Sequence, residues 1–123
     1  MAKLIVTLKG KTIKEIQLSR DVPITIGRGE SNTLQLENKA VSRYHAKIFK
    51  QGWPFFIEDL KSTNGTYHNG NRIRWKAALT NKDKITIGKH TLIFEDKKLD
   101  YEDDERLKNL NPEDTLRIPD WEK

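Results

Sequence analysis

A chain of 123 residues, 35% apolar and 33% charged, has room for one domain with a core and little more. It holds no cysteine, which excludes disulfides and thiolate metal sites and fits a cytoplasmic protein. Its formal charge of +5 divides unevenly: residues 1–98 carry 19 Lys and Arg against 9 Asp and Glu, whereas residues 99–123 carry 4 against 9.

From the N-terminus, Leu4–Lys9 and Thr12–Leu18 flank Gly10-Lys11 and predict a hairpin. The opening apolar stretch is too short for a signal peptide, and no run nears the roughly 20 residues that cross a bilayer. Ile24–Gly27 follows Asp21-Val22-Pro23; Thr33–Leu36, His45–Lys50, Phe55–Asp59, Lys84–Ile87 and His90–Glu95 complete the set of predicted strands. Several alternate apolar and polar residues, so Ile24/Ile26, Leu34/Leu36, Ala46/Ile48, Ile85/Ile87 and Leu92/Phe94 are expected to point inward. Gly88-Lys89 predicts a tight turn. Asn69-Gly70, between Thr66–His68 and Asn71–Ile73, predicts a hairpin, because both residues tolerate positive φ. Short strands without intervening helices point to an all-β sandwich or small barrel. Beyond Glu95 the character changes. Residues 99–110 have a weak helical pattern with four consecutive acids, and 111–123 contain two prolines and read as extended or disordered. The expected division is a domain over 1–98 and an acidic tail or linker over 99–123.

Three polar loops interrupt the strands: residues 25–32 around Gly27-Arg28-Gly29, residues 41–45 from Ser42 to His45, and residues 61–66. Loops at one end of a sandwich can converge. Together these would gather the Arg28 guanidinium, the hydroxyls of Ser42, Ser62 and Thr63, the Asn64 amide, and the cations Arg43 and Lys61. Such a set suits a phosphate, since arginine offers a fixed fork of donors and hydroxyls add short bonds. It suits hydrolysis poorly: Ser42 and His45 lack a third group to orient the base, and no oxyanion hole is visible. The three histidines are scattered, without the carboxylate or second histidine at ligand spacing that a metal requires.

The ordered set TIGRGESN, VSRYHAKI, FIEDLKSTNGTYHNG, DKITIG and LIFE resembles a forkhead-associated (FHA) domain over roughly residues 3–96. That resemblance implies a two-sheet antiparallel β-sandwich that binds phosphothreonine peptides, with no catalysis and no cofactor. It implies that Arg28 and Ser42 hold the phosphate from two sides, and that Thr63 reaches it by hydroxyl or backbone N–H. Asn64 would bond the peptide's main chain, and Arg43 its backbone or phosphate. His45 would be buried and tie the second loop to the third, while Gly27 and Gly65 permit backbone conformations closed to other residues. The expected partner is a phosphothreonine-containing protein marked by an upstream Ser/Thr kinase. The chain's own Thr115, with Ile118 three residues on, is a further candidate for docking once phosphorylated.

Two alternatives stand beside this reading. The basic body fits nucleic acid, but Phe55 and Phe56 fall in one predicted strand and are assigned to the core, which leaves few aromatics to stack on bases. An FHA fold that binds an unphosphorylated partner through a sheet face is the other.

Overall fold

Period-two alternation becomes a two-sheet sandwich in the computed structural model, which describes residues 2–96. The strands are β1 (Ala2–Leu8), β2 (Lys11–Leu18), β3 (Ile24–Gly27), β4 (Leu34–Gln35), β5 (Ala46–Lys50), β6 (Phe55–Asp59), β7 (Thr66–His68), β8 (Asn71–Arg72), β9 (Lys76–Leu79), β10 (Asp83–Ile87) and β11 (His90–Asp96). One sheet runs β2-β1-β11-β10-β7-β8 and the other β4-β3-β5-β6-β9. Strand pairs are antiparallel except β3–β4, where Ile26 lies beside Leu34 and Gly27 beside Gln35 in parallel. The chain leaves β3, loops through residues 28–33 and returns in the same direction, and that loop carries Arg28.

All ten side chains expected to point inward are buried, and Leu4, Val6, Ile57 and Leu79, outside that set, are fully buried with them. Each such aliphatic side chain contributes about 1.5–3 kcal/mol, which makes this layer the main source of stability. Phe55 also enters the core and packs against Phe94 at 5.6 Å between ring centroids. Phe56 does not. Alternation puts it on the outer face, half-buried, where it stacks on Phe49 at 5.7 Å under the Lys76 ammonium, 4.9 Å from its ring. Only one of the two phenylalanines assigned to the core therefore lies there. The same Lys76 stands 4.4 Å from the Trp75 ring, so aromatic and basic side chains do interleave on this face, with the rings engaged by the chain's own lysine.

The turns are set by local chemistry. Lys9 and Gly10 both take positive φ, which places the first hairpin turn one residue earlier than Gly10-Lys11. Asn69 and Gly70 likewise take φ of 50° and 88°. Asn69 also fastens its hairpin to β10: its Oδ1 accepts from the Lys84 N–H at 2.8 Å and its Nδ2 donates to Asp83. Gly88 packs so closely on the 38–41 segment that a Cβ would lie 2.9 Å from Val41 Cγ2. This fixes the β10–β11 turn at the same pole of the sandwich as the polar loops. The acidic stretch 99–123, its weak helical pattern and Thr115 lie outside the described residues.

Candidate functional site

The loops after β3, β4 and β6 meet at one pole through bonds between their backbones. Arg28 N–H donates to Ser42 O at 2.9 Å, Gly29 N–H to Arg43 O at 3.1 Å, and Leu60 N–H to His45 O at 2.9 Å. Asn32 adds a side-chain staple, its Nδ2 donating to both Gly29 O and Arg43 O. Gly27 is required by this contact: a Cβ there would sit 2.2 Å from Arg43 O. Its φ lies outside the left-handed range, so close approach, not backbone freedom, is the reason for glycine at this position. Gly65 is the opposite case: its φ of 92° calls for glycine, whereas the atoms a Cβ would meet belong to the exposed, movable Arg72 side chain.

His45 is fully buried beneath the loops. Its Nδ1 accepts from the Ser42 N–H at 3.0 Å, so the proton sits on Nε2, which donates to Gly65 O at 2.9 Å. One neutral tautomer satisfies a buried donor and a buried acceptor, and the ring has no nitrogen left for proton transfer. Ser42 Oγ in turn accepts from the Thr63 N–H at 3.0 Å, which leaves the Ser42 hydroxyl hydrogen free to donate outward. The Thr63 N–H expected to reach a ligand is thus spent on Ser42, and the exposed Thr63 hydroxyl is the group that remains.

Arg28 is exposed, and its Nε donates to Val41 O at 3.0 Å, which pins the guanidinium beside Ser42 and leaves the terminal nitrogens unengaged among the described residues. Asn64 Nδ2 donates to Ala40 O at 2.9 Å, so the amide is held with its Oδ1 available to accept a peptide N–H. Arg43 and Lys61 are exposed at the same pole, and among the described residues no carboxylate pairs with Arg28, Arg43, Lys61 or Arg72. At the rim Tyr44 Oη pairs with Ser31 Oγ at 2.9 Å. That bond outweighs a small desolvation and, with Arg43 nearby, holds the phenol below its ordinary value.

Ser62 departs from expectation. It is buried, its hydroxyl donates to Asp59 Oδ1 and accepts from the Gly65 N–H at 3.0 Å, and its own N–H donates to Asp59 Oδ2 at 3.2 Å. The hydroxyl hydrogen is spent on Asp59, so it has no donor left for a phosphate, and Ser62 belongs to the loop's internal frame. Asp59 is the hub of that frame, since it also accepts from the fully buried Thr66 hydroxyl at 2.7 Å. Asp59, Thr66, Asn32 and Arg72 were not singled out from sequence. The crowding of Ser62, Thr63 and Thr66 behind one aspartate was the available signal for the first two.

No helix among the described residues is long and apolar enough to cross a membrane, and no group of His, Asp and Glu among them is placed to hold a metal. The family model of the FHA domain matches residues 24–88. The chain is 35% identical over 86 residues to the FHA domain-containing protein FhaB of Mycobacterium tuberculosis, a match that covers 70% of this chain and 55% of FhaB. It superposes on M. tuberculosis EmbR in complex with a low affinity phosphopeptide with a TM-score of 0.67 and 32% identity, over 76% of this chain and 24% of that one. A domain solved in a structural and functional analysis of phosphothreonine-dependent FHA domain interactions gives 0.67 and 29%, over 76% and 96%. The chain thus spans about half of FhaB and a quarter of the EmbR chain. With its sandwich, its three stapled loops and its matched core segment, this protein belongs to the FHA domain family.

Proposed function

We propose that the domain recognises phosphothreonine in a partner protein and does so by binding, without chemistry. The observation that supports this reading is that Arg28 and Thr63 are both tied to the 41–42 segment, one through Val41 O and the other through the Ser42 hydroxyl. The guanidinium is anchored through Val41 O, and the Ser42 hydroxyl is oriented by the Thr63 N–H. A phosphothreonine brings about −1.5 to −2 charge and three strong acceptor oxygens. Arg28 supplies a fork for two oxygens, Ser42 and Thr63 supply hydroxyl donors, and the exposed Arg43 and Lys61 add field. Asn64 Oδ1 orients the peptide as an extended strand across the loop tips. His45, Ser62 and Asp59 hold these groups in place without touching the ligand.

The relatives support the assignment: one solved structure holds a phosphopeptide on EmbR, and another comes from work on phosphothreonine-dependent FHA interactions. The role that follows is a cytoplasmic signalling or assembly module downstream of a Ser/Thr kinase. Calorimetric titration with a phosphothreonine peptide tests it, with unmodified and phosphoserine peptides as controls. Arg28→Ala is expected to lose about 2–5 kcal/mol of affinity, since a bound dianion loses its charge partner, and wild-type binding is expected to weaken as salt rises. Equal affinity of the two proteins would sink the assignment.

A further inference from the structure

The segment 38–42 has two sides. On one, Ala40 O accepts from Asn64 Nδ2 and Val41 O from Arg28 Nε, so it walls the phosphate pocket. On the other, it borders a groove of about 410 Å³ that opens between the two sheets along the edge strands β2 and β4. Leu8, Ile13 and Leu36 supply aliphatic walls, Glu37 and Asn38 a polar lip, and His90 lines the interior. Asn38 joins the two sites physically, because its Oδ1 accepts from the Ala40 N–H at 2.8 Å.

Two features show a groove shaped for an occupant. Ile13 is 54% exposed, the one apolar side chain in the polar run Lys11–Glu15, and it faces this opening. His90 is 95% buried, yet its Nδ1 has no hydrogen-bond partner and Nε2 bonds to none of the described residues. A buried polar atom without a partner costs about 1–3 kcal/mol, and native structures seldom carry one without a reason. Burial also holds the imidazole below its ordinary value, so at neutral pH it offers one donor and one acceptor. Aliphatic walls, a polar lip and the accessible Nε2 of His90 match an extended peptide, whose side chains alternate and whose backbone needs polar partners.

We propose that this groove is a second subsite for the phosphorylated partner: it takes an aliphatic side chain that flanks the phosphothreonine, while the His90 imidazole bonds that segment's backbone. The inference rests on the phosphothreonine reading above. Val41 N–H donates to Asn38 O at 2.9 Å, so 38–41 is a tight turn that sets Asn38, the lip of the groove, within roughly 7 Å of Val41. An extended ligand rises about 3.3 Å per residue, so it reaches that lip about two to three residues from the phosphothreonine, and the side chains seated past the lip begin at about the fourth.

The test is calorimetry on the full 123-residue chain with two sets of phosphothreonine peptides. The short peptide has three residues on each side of the phosphothreonine. The long ones place a leucine in turn at the fourth, fifth or sixth position of either flank, with serine at the same position as control. One leucine register is expected to bind about tenfold tighter than its serine control, from burial of one aliphatic side chain. Ile13→Asp is expected to abolish that gain and leave the short peptide unaffected. His90→Phe, which keeps the ring and removes its nitrogens, is expected to reduce the gain several-fold. The His90 ring resonances should shift with the leucine peptide and stay still with the short one. If the short peptide binds and no leucine register improves on serine, the subsite is wrong and the phosphate pocket stands. If the short peptide itself fails to bind, the phosphothreonine reading falls and the subsite with it.

Discussion

The Nε2 of buried His45 donates to Gly65 O at 2.9 Å, and its Nδ1 accepts from the Ser42 N–H. One imidazole thereby sets the spacing between the loop that offers Ser42 and the loop that offers Thr63 and Asn64. His45→Ala leaves a buried donor and a buried acceptor unpaired beside a new cavity. It is expected to cost about 3 kcal/mol in urea denaturation and to weaken phosphopeptide binding in the protein that remains folded. Unchanged stability would show that the ring is not the tie described.

Ser62 and Thr63 are neighbours with opposite duties. Ser62→Ala removes a buried hydroxyl shared by Asp59 and the Gly65 N–H, and about 1–3 kcal/mol of stability should go with it. Thr63→Ala removes an exposed hydroxyl, and stability should stay within about 0.5 kcal/mol. Affinity should move the other way, falling several-fold for Thr63→Ala and little for folded Ser62→Ala. Paired melts and titrations on the two variants decide it.

Gly27 and Gly52 separate two uses of glycine. Gly52 has φ of 68° with nothing within 4 Å of a Cβ, so Gly52→Ala carries only backbone strain, about 1–2 kcal/mol. Gly27→Ala drives a methyl into the Arg43 carbonyl, which is itself bonded to Gly29 and Asn32. The expected cost is about 3 kcal/mol or more, with loss of ligand binding as the first loop is pushed off the second. Equal melting temperatures for the two variants would refute the contact.

Acid should destabilise the sandwich in part through Asp83. Burial pushes its carboxyl up, but hydrogen bonds from His68 at 2.7 Å, from the Thr80 N–H, from Asn69 and from the Thr80 hydroxyl outweigh it, and the carboxyl lies below its ordinary 3.8. A lowered carboxylate contributes stability that is full above the unfolded value and is lost as pH falls through the folded one. Between pH 7 and pH 3 the urea midpoint of the wild type should therefore fall further than that of Asp83→Asn. Parallel acid limbs would contradict this.

The sandwich was readable because β3 and β10 alternate apolar and polar residues, and side chains such as Ile85 and Leu92 had one face to choose, although Phe49 in β5 and Ile93 in β11 break the pattern. β9 was not readable: alanines fill two of its four positions, and alanine carries little strand preference. As an edge strand it is held by pairing with β6 alone. At the site, Arg28, Ser42, Thr63 and Asn64 do assemble, and His45 is buried as expected. Ser62 misled because a hydroxyl that caps an aspartate three residues back looks, in sequence, like one that faces solvent. Gly27 misled in another way, since a backbone carbonyl from a residue sixteen positions later leaves no trace in the local pattern.

The register of β1 on β11 sets Ala2 opposite Asp96 and Leu8 opposite His90. The two ends of the described body therefore emerge side by side, about 20 Å along the strands from the turn that packs on Val41. A fluorophore, surface linker or fused domain attached at either end would hang from the far side and leave the recognition loops clear. Immobilising the domain at Ala2 or Asp96 is thus the sound geometry for a sensor of phosphopeptide binding.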